Sequence, residues 1–363
     1  MKNLRVAIVH DDFIQHGGAE RLVLEMLKIW PQANLYGLMA SKEWQRDLKD
    51  RVGKEIQTSW LRGLPINEKF FRYYYSLYPI AVESFNFDSY DLVISSSARY
   101  AHGIITKPET THIAYVNNPA RFLWNEHLSP KSFLTLPVLN WHRTWDKVAS
   151  FRPDFIIANC QVPAKRIEKY WGRKADAIIY PFVDLGKFET NFVTEEESPK
   201  DYFLIVSRLE NWKRIDLAIE SCNRLSRRLY IVGTGRAETR LKTLAGPTIK
   251  FLGRLEEREL FKIYKNCLAL IMTQEEDFGI TSLEAQAAGR PVIAFRAGGA
   301  LETVVEEKTG IFFDSQTVEN LVEALTRFDP SAFLGEDCRK QAQRFSRDRF
   351  HRELITFVED VLR

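Results

Sequence analysis

Short apolar runs alternate along the chain with longer segments in which apolar residues recur every three or four positions. The first run, residues 6–9, is followed by four apolar residues at helical spacing: Val23, Met26, Leu27 and Trp30. Further apolar runs, each predicted to be a strand, lie at residues 92–94, 112–116, 155–158, 203–206, 229–232, 268–272 and 291–295. Most of them precede a helical stretch, and this alternation is typical of βαβ units around a buried parallel sheet.

A polar stretch without apolar periodicity interrupts this pattern near residues 186–201. The alternation restarts after it, so we predict two doubly wound α/β domains with a ligand cleft between them. The predicted boundaries are 1–186 for the N-terminal domain, 187–201 for a linker, 202–345 for the C-terminal domain and 346–363 for a last helix.

The last helix has an amphipathic pattern. Four apolar residues share one of its faces: Phe350, Leu354, Phe357 and Val361. Ser346 precedes them and is a residue type that caps helix N-termini. We therefore predict that this helix packs back on the domains through its apolar face.

Composition and charge are those of an ordinary globular protein. The 363 residues are 45% apolar and 27% charged, and 51 Lys and Arg against 48 Asp and Glu leave a net charge of +3. A protein that coats nucleic acid usually has a much larger basic excess, so we expect no nucleic-acid partner. The four cysteines form no C-x-x-C pair, which favours reduced thiols and no metal site. No apolar run approaches the roughly 18 to 20 residues of a membrane span, and we expect a cytoplasmic protein.

Two adjacent glycines, Gly17 and Gly18, lie between the first predicted strand and the first predicted helix. Glycine lets the backbone approach a ligand closely, and the helix N-terminus behind it favours an anion such as phosphate. The alternative is a tight turn without a ligand, and the two glycines alone leave both interpretations open.

Two carboxylates flank a second predicted helix N-terminus. Glu276 lies in the loop after the run 268–272, and Glu284 lies within the helix that follows. The backbone amides between them are suited to a diphosphate; they belong to Phe278, Gly279, Ile280, Thr281, Ser282 and Leu283. The alternative is an acidic first turn that only complements the helix dipole.

The spacing of Glu276 and Glu284 resembles the E-x7-E motif of retaining glycosyltransferases of the GT-B fold, and more narrowly of glycosyltransferase family 4. Residues 285–295, 298–304 and 309–313 are also similar to that family, and the resemblance spans nearly the whole chain. It implies two doubly wound, Rossmann-like domains facing a cleft, with a GDP- or UDP-sugar as donor substrate and neither cofactor nor metal. It further implies that Glu284 holds the ribose hydroxyls, Glu276 a sugar hydroxyl, and the intervening amides the diphosphate.

The resemblance includes residues 206–220. Arg208 and Lys213 match an Arg and a Lys that clamp the donor diphosphate in the family. Fixed cations there would stabilise the charge that develops on the departing nucleoside diphosphate. Gly233 matches a glycine-rich turn near the nucleotide. Because Thr234 and Arg236 depart from the usual residues of that turn, only its backbone is assigned to the donor.

The resemblance also assigns the Gly17–Gly18 loop to the donor. It fails at one position, because relatives often have a His near the reacting sugar where this chain has Asn117. Asparagine can hydrogen-bond a sugar hydroxyl but cannot act as a general base. His102 and His112 lie nearby in the sequence, and we favour a structural role for both.

The run 68–79 mixes basic and aromatic side chains. We favour a partly buried amphipathic helix. The alternatives are a surface that touches a membrane or a lipid-linked acceptor, and a stacking surface for single-stranded nucleic acid, which no other feature supports.

Together these features predict a retaining, metal-independent hexosyltransferase that acts on a glycan or lipid-linked acceptor. The motifs look most like mannosyl or related hexosyl transferases of surface polysaccharide assembly, so mannose is favoured. Two alternatives stay open: a catalytically inactive GT-B binding subunit, in which Asn117 marks the loss of catalysis, and a GT-B nucleotide-sugar epimerase. A hydrolase that uses Glu276 and Glu284 as flanking carboxylates is disfavoured by their place beside a phosphate-binding helix terminus. Peripheral contact with the inner face of the cell membrane also stays open.

Overall fold

The computed structural model describes residues 4–15, 17–64, 71–124, 136–190 and 201–363. The chain folds into two compact units, Met1–Tyr180 with His351–Arg363, and Pro181–Phe350. The predicted linker, residues 187–201, lies for the most part outside the described residues, so its extent stays a prediction.

The N-terminal unit contains a parallel sheet. Its strands are β1 (Val6–Phe13), β2 (Asn34–Ala40), β3 (Ile56–Thr58), β4 (Leu92–Ser97), β5 (Thr111–Val116), β6 (Phe155–Ala158) and β7 (Ala177–Ile178). Its helices are α1 (Gly18–Ile29), α2 (Lys42–Val52), α3 (Tyr78–Glu83), α4 (Arg121–Trp124), α5 (Leu136–Ala149) and α6 (Gln161–Trp171), with 3-10 turns at Trp60–Gly63, Phe71–Leu77 and Ala101–Gly103. The strand order is β3-β2-β1-β4-β5-β6-β7.

The C-terminal unit contains a second parallel sheet. Its helices begin with α7 (Leu185–Thr190), and its strands are β8 (Phe203–Val206), β9 (Leu229–Val232), β10 (Ile249–Gly253), β11 (Leu270–Met272), β12 (Val292–Phe295) and β13 (Gly310–Phe313). The other helices are α8 (Ile215–Arg224), α9 (Glu238–Leu244), α10 (Glu257–Asn266), α11 (Ile280–Ala287), α12 (Ala300–Thr303), α13 (Val318–Arg327) and α14 (Gly335–Gln343), with 3-10 turns at Asn211–Lys213 and Pro330–Ala332. The last helix, α15 (Arg347–Val361), begins in this unit, and its residues from His351 onward belong to the N-terminal unit. The strand order is β10-β9-β8-β11-β12-β13.

Every strand predicted from the apolar runs is present, and both sheets are doubly wound as expected. The strand order reverses direction between β1 and β4 in one sheet and between β8 and β11 in the other. In open α/β sheets ligands bind outside the carboxyl ends of the strands at such points. Residues that follow β1, β4, β8 and β11 are therefore the first candidates for a site in each unit.

Strand β1 extends four residues beyond the predicted run, through buried polar residues. Asp11 makes this possible, because its carboxylate accepts hydrogen bonds of 2.7 and 2.8 Å from the amides of Tyr100 and Ala101. The same carboxylate accepts a bond of 2.6 Å from the amide of Ala98. A buried carboxylate is tolerated when its oxygens are paired in this way. Asp11 thus ties the end of β1 to the loop after β4.

Helix α15 confirms the predicted last helix. Ser346 Oγ accepts a hydrogen bond of 3.3 Å from the amide of Arg349, so the predicted cap is present. Phe350 and Leu354 are fully buried, and Val358 is buried one turn later. The rings of Phe357 and Phe155, both in the N-terminal unit, pack edge-on with centroids 6.1 Å apart.

His102 and His112 have the structural role that we favoured. His112 Nε2 lies 2.8 Å from Ser95 Oγ, and His102 Nδ1 lies 3.1 Å from Ser97 Oγ. Both rings are buried in the N-terminal unit. Burial lowers the pKa of His112 to about 3, so this ring is neutral in the folded protein at neutral pH.

We expect the neutral His112 to make the free energy of unfolding depend on pH. The unfolded chain binds a proton at this histidine near pH 6.5, whereas the folded protein binds it only near pH 3, so stability is lost as the pH falls below 6.5. The loss approaches about 1.4 kcal/mol per pH unit. Urea unfolding at pH 7 and pH 5 should show a smaller fall for His112→Asn than for the wild type. An equal fall in both proteins contradicts the assignment.

Candidate functional site

Lys213 and Glu276 form an ion pair beyond the carboxyl ends of two neighbouring strands. Lys213 closes the 3-10 turn after β8, and Glu276 lies in the loop after β11, the strand beside β8. Lys213 Nζ contacts Glu276 Oε1, and the two side chains are only 8% and 18% exposed. The fold therefore brings together two residues that the resemblance assigns to the diphosphate and to the sugar.

Neighbouring side chains hold this pair in place. Gln274 Nε2 donates a hydrogen bond of 3.0 Å to Glu276 Oε1. Thr273 Oγ1 donates one of 2.8 Å to the carbonyl of Lys213. The Lys213 ammonium also lies 4.0 Å from the centre of the Trp212 ring, a cation–π contact. These contacts fix the ammonium, so it needs no reorganisation when charge develops beside it.

Two glycines shape the loop that carries Glu276. The amide of Gly299 donates a hydrogen bond of 2.8 Å to the carbonyl of Glu276. A Cβ atom on Gly298 would lie 2.2 Å from that carbonyl oxygen, and one on Gly299 would lie 2.4 Å from Phe278 Cα. Larger residues at 298 and 299 would displace the loop. This close approach is the physical reason for the Gly-Gly pair in the segment 298–304.

The N-terminus of α11 offers backbone amides, as predicted. Gly279 precedes the helix with φ +83°, a left-handed conformation that favours glycine. Within the part of the chain that the structure describes, the amides of Gly279, Ile280 and Thr281 have no hydrogen-bond partner. Such amides, at the positive end of the helix dipole, are suited to an anion.

The other residues assigned to this cradle are engaged in packing. Ser282 Oγ donates to the carbonyl of Gly279 at 2.8 Å and lies 2.8 Å from Thr303 Oγ1. The Ser282 amide bonds the same carbonyl at 3.0 Å. Leu283 is fully buried, and the ring of Phe278 packs edge-on against Phe345 with centroids 5.6 Å apart. The side chains of Phe278, Ser282 and Leu283 thus pack within the C-terminal unit and fix the start of α11.

Glu284 lies on α11 and is oriented by a tyrosine that the sequence did not indicate. Tyr264 Oη, on α10, donates a hydrogen bond of 2.8 Å to Glu284 Oε2. Tyr264 is fully buried, so its hydroxyl requires a partner, and Glu284 supplies it. Tyr264 is therefore a positioning residue for the carboxylate assigned to the ribose.

Arg208 lies in the loop after β8, but the structure does not bring it into contact with Lys213 or Glu276. Its side chain is exposed and has no hydrogen bond or ion pair with another described residue. Its assignment to the diphosphate stays a prediction. The loop itself is fixed, because the amide of Ser207 donates a hydrogen bond of 3.0 Å to the carbonyl of Val232 at the end of β9, and the amide of Leu209 donates one of 3.0 Å to the carbonyl of Thr234 in the loop after it.

Gly233 brings the loop after β9 against the loop that carries Arg208. Its φ is +125°, a backbone conformation that residues other than glycine rarely adopt. A Cβ atom there would lie 1.9 Å from the carbonyl oxygen of Ser207. Its amide donates a hydrogen bond of 2.7 Å to the carbonyl of Gly253. The glycine is thus required by the contact between two loops, whether or not its backbone also meets a nucleotide.

We expect Gly233→Ala to destabilise the protein by at least about 2 kcal/mol, because the backbone of residue 207 must move to admit the methyl group. Gly253→Ala is a matched control, since Gly253 also has a positive φ but has open space around its Cβ position. Its cost should be limited to about 1–2 kcal/mol of backbone strain. Urea unfolding measures both, and equal losses would contradict the steric explanation.

The Gly17–Gly18 loop of the N-terminal unit is held by Glu20. The amide of Gly17 donates a hydrogen bond of 3.0 Å to Glu20 Oε2, and Gly18 begins α1. His10 Nε2 lies 4.0 Å from Glu20 Oε1. Burial opposes the charge of both groups, but their mutual attraction raises the pKa of His10 and lowers the pKa of Glu20. The two adjacent glycines in the sequence did not predict the His10–Glu20 pair.

Asn117 follows β5 and is linked to His10 through Ser96. Its Nδ2 donates a hydrogen bond of 3.1 Å to Ser96 Oγ, while His10 Nδ1 lies 3.0 Å from the carbonyl of Ser96. Ser96 therefore connects the asparagine to the His10–Glu20 pair. Asn117 and the glycine loop both follow strands of the run β1-β4-β5, at the carboxyl edge of the sheet of the N-terminal unit.

Three further observations concern the described residues. No helix among residues 4–15, 17–64, 71–124, 136–190 and 201–363 is both long enough and apolar enough to cross a bilayer. The same residues contain no group of three or more His, Cys, Asp or Glu suited to a metal ion. All four cysteines lie in the described residues, where each is buried and none forms a disulfide.

The structure describes only part of the aromatic run 68–79. Residues 68–70 lie outside the described residues, and the chain from Phe71 to Leu77 is a 3-10 helix followed by α3. Tyr78 and Pro79 are buried, and Tyr75 packs edge-on against Tyr78 with centroids 5.0 Å apart. The described part of the run is therefore partly buried, as we favoured.

Comparison with known proteins identifies relatives of the chain. Residues 187–345 match the family model described as glycosyl transferases group 1. The chain is 23% identical to the alpha-1,3/1,6-mannosyltransferase ALG2 of Dictyostelium discoideum, over 99% of each protein. It is 40% identical over 108 residues to a GDP-mannose-dependent monoacylated alpha-(1-6)-phosphatidylinositol monomannoside mannosyltransferase of Corynebacterium glutamicum, which is 27% of this chain and 28% of that protein.

Solved structures share the fold. Anabaena Alr3699/HepE, crystallised with UDP, superposes with a TM-score of 0.70 over 98% of this chain and 100% of its own, at 17% identity. Sucrose-phosphate synthase of Thermosynechococcus elongatus gives 0.71 over 99% of each chain, at 14% identity. The resemblance drawn from the motifs is thereby confirmed: residues 187–345 match the group 1 glycosyl transferases, and the chain has the GT-B fold.

Proposed function

We propose that this protein transfers a hexose, with mannose favoured, from a GDP- or UDP-sugar to a hydroxyl of a glycan or lipid-linked acceptor, with retention of configuration. The observation that carries the proposal is the buried Lys213–Glu276 pair beside the unpartnered amides at the start of α11. The names of the two mannosyltransferase relatives support mannose as the transferred sugar. The Anabaena structures with UDP and with UDP-glucose support a nucleotide-sugar donor.

The chemistry required of the site is stabilisation of a leaving group. As the bond between the sugar C1 and the phosphate oxygen breaks, negative charge grows on the nucleoside diphosphate. The Lys213 ammonium and the amides of Gly279, Ile280 and Thr281 are fixed donors for that charge, with Arg208 as a second cation. The acceptor oxygen bonds C1 from the same face, and its proton passes to the departing phosphate oxygen. These groups suffice for a metal-independent reaction.

The two carboxylates have separate roles in this scheme. Glu284, held by Tyr264, accepts hydrogen bonds from the ribose hydroxyls, so it contributes to donor affinity. Glu276 orients the Lys213 ammonium and accepts a hydrogen bond from a hydroxyl of the donor sugar. In the N-terminal unit, the Gly17–Gly18 loop is assigned to the donor diphosphate and Asn117 to a hydroxyl of the sugar.

A thermal-shift screen against GDP, UDP, ADP, CDP and dTDP, each with its common sugar conjugates, tests the donor assignment. A ligand that binds only the folded state at 100 times its Kd adds about 2.7 kcal/mol to the stability. We expect a clear rise in Tm with one base, GDP or UDP, and a much smaller rise in Glu284→Ala at the same concentration. The absence of a shift with every ligand contradicts a donor site in this chain.

Asn117 favours one alternative, a binding subunit that has lost catalysis. Its amide is hydrogen-bonded to Ser96 and has no basic nitrogen to move a proton. Nucleotide binding without turnover would identify such a subunit. An epimerase would instead release a changed sugar in the absence of any acceptor.

A further inference from the structure

The two oxygen atoms of the Glu276 carboxylate have different surroundings. Oε1 contacts Lys213 Nζ and accepts a hydrogen bond of 3.0 Å from Gln274 Nε2. Oε2 has no hydrogen-bond partner among the residues that the structure describes, and the side chain is 18% exposed. One oxygen thus holds the lysine, while the other is able to accept a hydrogen bond from a ligand.

The loop around Glu276 fixes the carboxylate beside Lys213. The Glu276 carbonyl accepts a hydrogen bond of 2.8 Å from the Gly299 amide, and Gly298 packs against the same carbonyl. Gln274, which is itself buried, holds Oε1 of the side chain. Because both the main chain and the side chain of Glu276 are held, the carboxylate stays next to the ammonium when an anion enters the site.

The Lys213–Glu276 pair has no net charge. A lysine without a counter-ion would bind the more highly charged of two anionic ligands more tightly, since the Coulomb energy grows with the charge of the ligand. Both side chains of the pair are largely buried, so solvent and salt screen this interaction incompletely. The carboxylate opposes the preference for the higher charge, because it repels the anion that the ammonium attracts.

We propose that Glu276 discriminates the intact nucleotide-sugar donor from the spent nucleoside diphosphate and thereby favours release of the spent nucleotide. This inference rests on the proposed function, in which Lys213 meets the diphosphate and Glu276 a hydroxyl of the sugar. The same carboxylate favours binding while the sugar is present and opposes binding once the sugar has left.

Before and during transfer, the sugar compensates the charge of Glu276. A sugar hydroxyl donates a hydrogen bond to the carboxylate, and a charged acceptor makes this bond a strong one. In the transition state, positive charge develops on the sugar ring, as in other reactions at a glycosidic carbon, and the carboxylate attracts it. The donor diphosphate carries one negative charge on each phosphate, so its repulsion by Glu276 is offset.

After transfer, both compensations are lost. The bond from C1 to the phosphate oxygen has been replaced by a bond from C1 to the acceptor oxygen, and the acceptor proton has passed to that phosphate oxygen. A terminal phosphate ionises a second time at about pH 6, so at neutral pH it releases this proton to solvent and gains a negative charge that the donor did not have. No sugar hydroxyl then meets Glu276, and the carboxylate repels the added charge.

Isothermal titration calorimetry tests the proposal with the ligand pair that raises the Tm, GDP and GDP-mannose or UDP and UDP-glucose. The measured quantity is the Kd of the nucleoside diphosphate divided by the Kd of the nucleotide sugar. Glu276→Gln keeps a hydrogen-bonding side chain of similar size and removes the charge. It should lower this ratio at least about tenfold, mainly because the diphosphate binds more tightly. Glu319→Gln is the matched control and should leave the ratio unchanged, since it removes a carboxylate that lies 2.9 Å from Arg224 in an exposed ion pair.

Lys213→Gln gives an independent test with the opposite sign. Without the ammonium, the more highly charged diphosphate loses more affinity than the nucleotide sugar does, so the same ratio should rise about tenfold. Far-UV circular dichroism and Tm show whether each variant is folded. If Glu276→Gln does not fold, the sign of the change in Lys213→Gln still decides the proposal.

Two results would overturn the proposal. One is a ratio in Glu276→Gln that is unchanged, raised, or lowered no more than in Glu319→Gln. The other is a ratio that does not rise in Lys213→Gln. In either case both ligands still bind the wild type, so the proposed function is left standing. A wild type that binds neither ligand would instead contradict the proposed function, and this inference with it.

Discussion

Lys213→Ala is expected to lower kcat about 10²- to 10³-fold while the donor KM changes far less. The Lys213 ammonium is paired with Glu276 before the reaction and lies over the ring of Trp212, while Thr273 holds the backbone carbonyl of Lys213, so its position is already set. The charge that it stabilises is larger in the transition state than in the bound donor. An interaction that strengthens in the transition state appears in kcat, whereas uniform binding appears in KM.

Removal of Lys213 also leaves the Glu276 carboxylate without its partner, so the folding of the variant must be followed by Tm. Lys213→Gln separates the effects, because glutamine keeps a hydrogen-bond donor for Glu276 and removes only the charge. Lys242→Ala is the matched control: Lys242 Nζ lies 2.7 Å from Glu238 Oε1 on α9, a solvent-accessible ion pair to which no role toward the donor is assigned. An increase in KM with unchanged kcat in Lys213→Gln would contradict the role assigned to the ammonium.

Glu284→Ala is expected to weaken binding of the nucleoside diphosphate about 10- to 100-fold, since hydrogen bonds to a charged group contribute about 1.5–3 kcal/mol. The effect should be present with the diphosphate alone, because the assigned contact is to the ribose and not to the sugar. Isothermal titration calorimetry measures it. Glu323→Ala, on the exposed side of α13, is the control and should bind as the wild type does.

Tyr264→Phe should have an intermediate effect on the same affinity. The substitution keeps the ring in its buried position and removes only the hydroxyl that holds Glu284 Oε2. Glu284 then keeps its charge but loses its orientation. A Glu284→Ala variant that binds the diphosphate with wild-type affinity would show that this carboxylate does not serve the ribose.

The central strands could be predicted from the sequence, because strands buried on both faces of a parallel sheet are continuous apolar runs. Strands β2, β3, β7, β10 and β13 were not predicted. β3 and β7 are short, β2 and β10 are interrupted by Gly37 and Lys250, and β13 has only three apolar residues after Gly310. In β2, Gly37 lies against the ring of Phe13, where a Cβ atom would come within 2.8 Å. That constraint comes from a neighbouring strand and leaves no mark in the local pattern.

The sequence predicts those parts of the candidate site whose residues lie close together along the chain. Glu276, Glu284 and the amides between them lie within one loop and one helix, so their proximity follows from the sequence. The residues that position them come from elsewhere: Tyr264 from α10, and Gln316, which donates to the carbonyl of Thr273 at 2.7 Å, from the segment after β13. These contacts depend on how α10 and the segment after β13 pack around the sheet, and a single sequence does not show this.

The anomeric configuration of the sugar formed by the purified protein from its donor tests the proposed function most directly. NMR at early times, with the donor base identified by thermal shift and with an added acceptor, distinguishes the possibilities. We expect a glycoside with the donor's own configuration, formed by the wild type and reduced about 10²- to 10³-fold in Lys213→Gln. An inverted product, a changed sugar released without acceptor, or bound nucleotide with no turnover would contradict a retaining transferase.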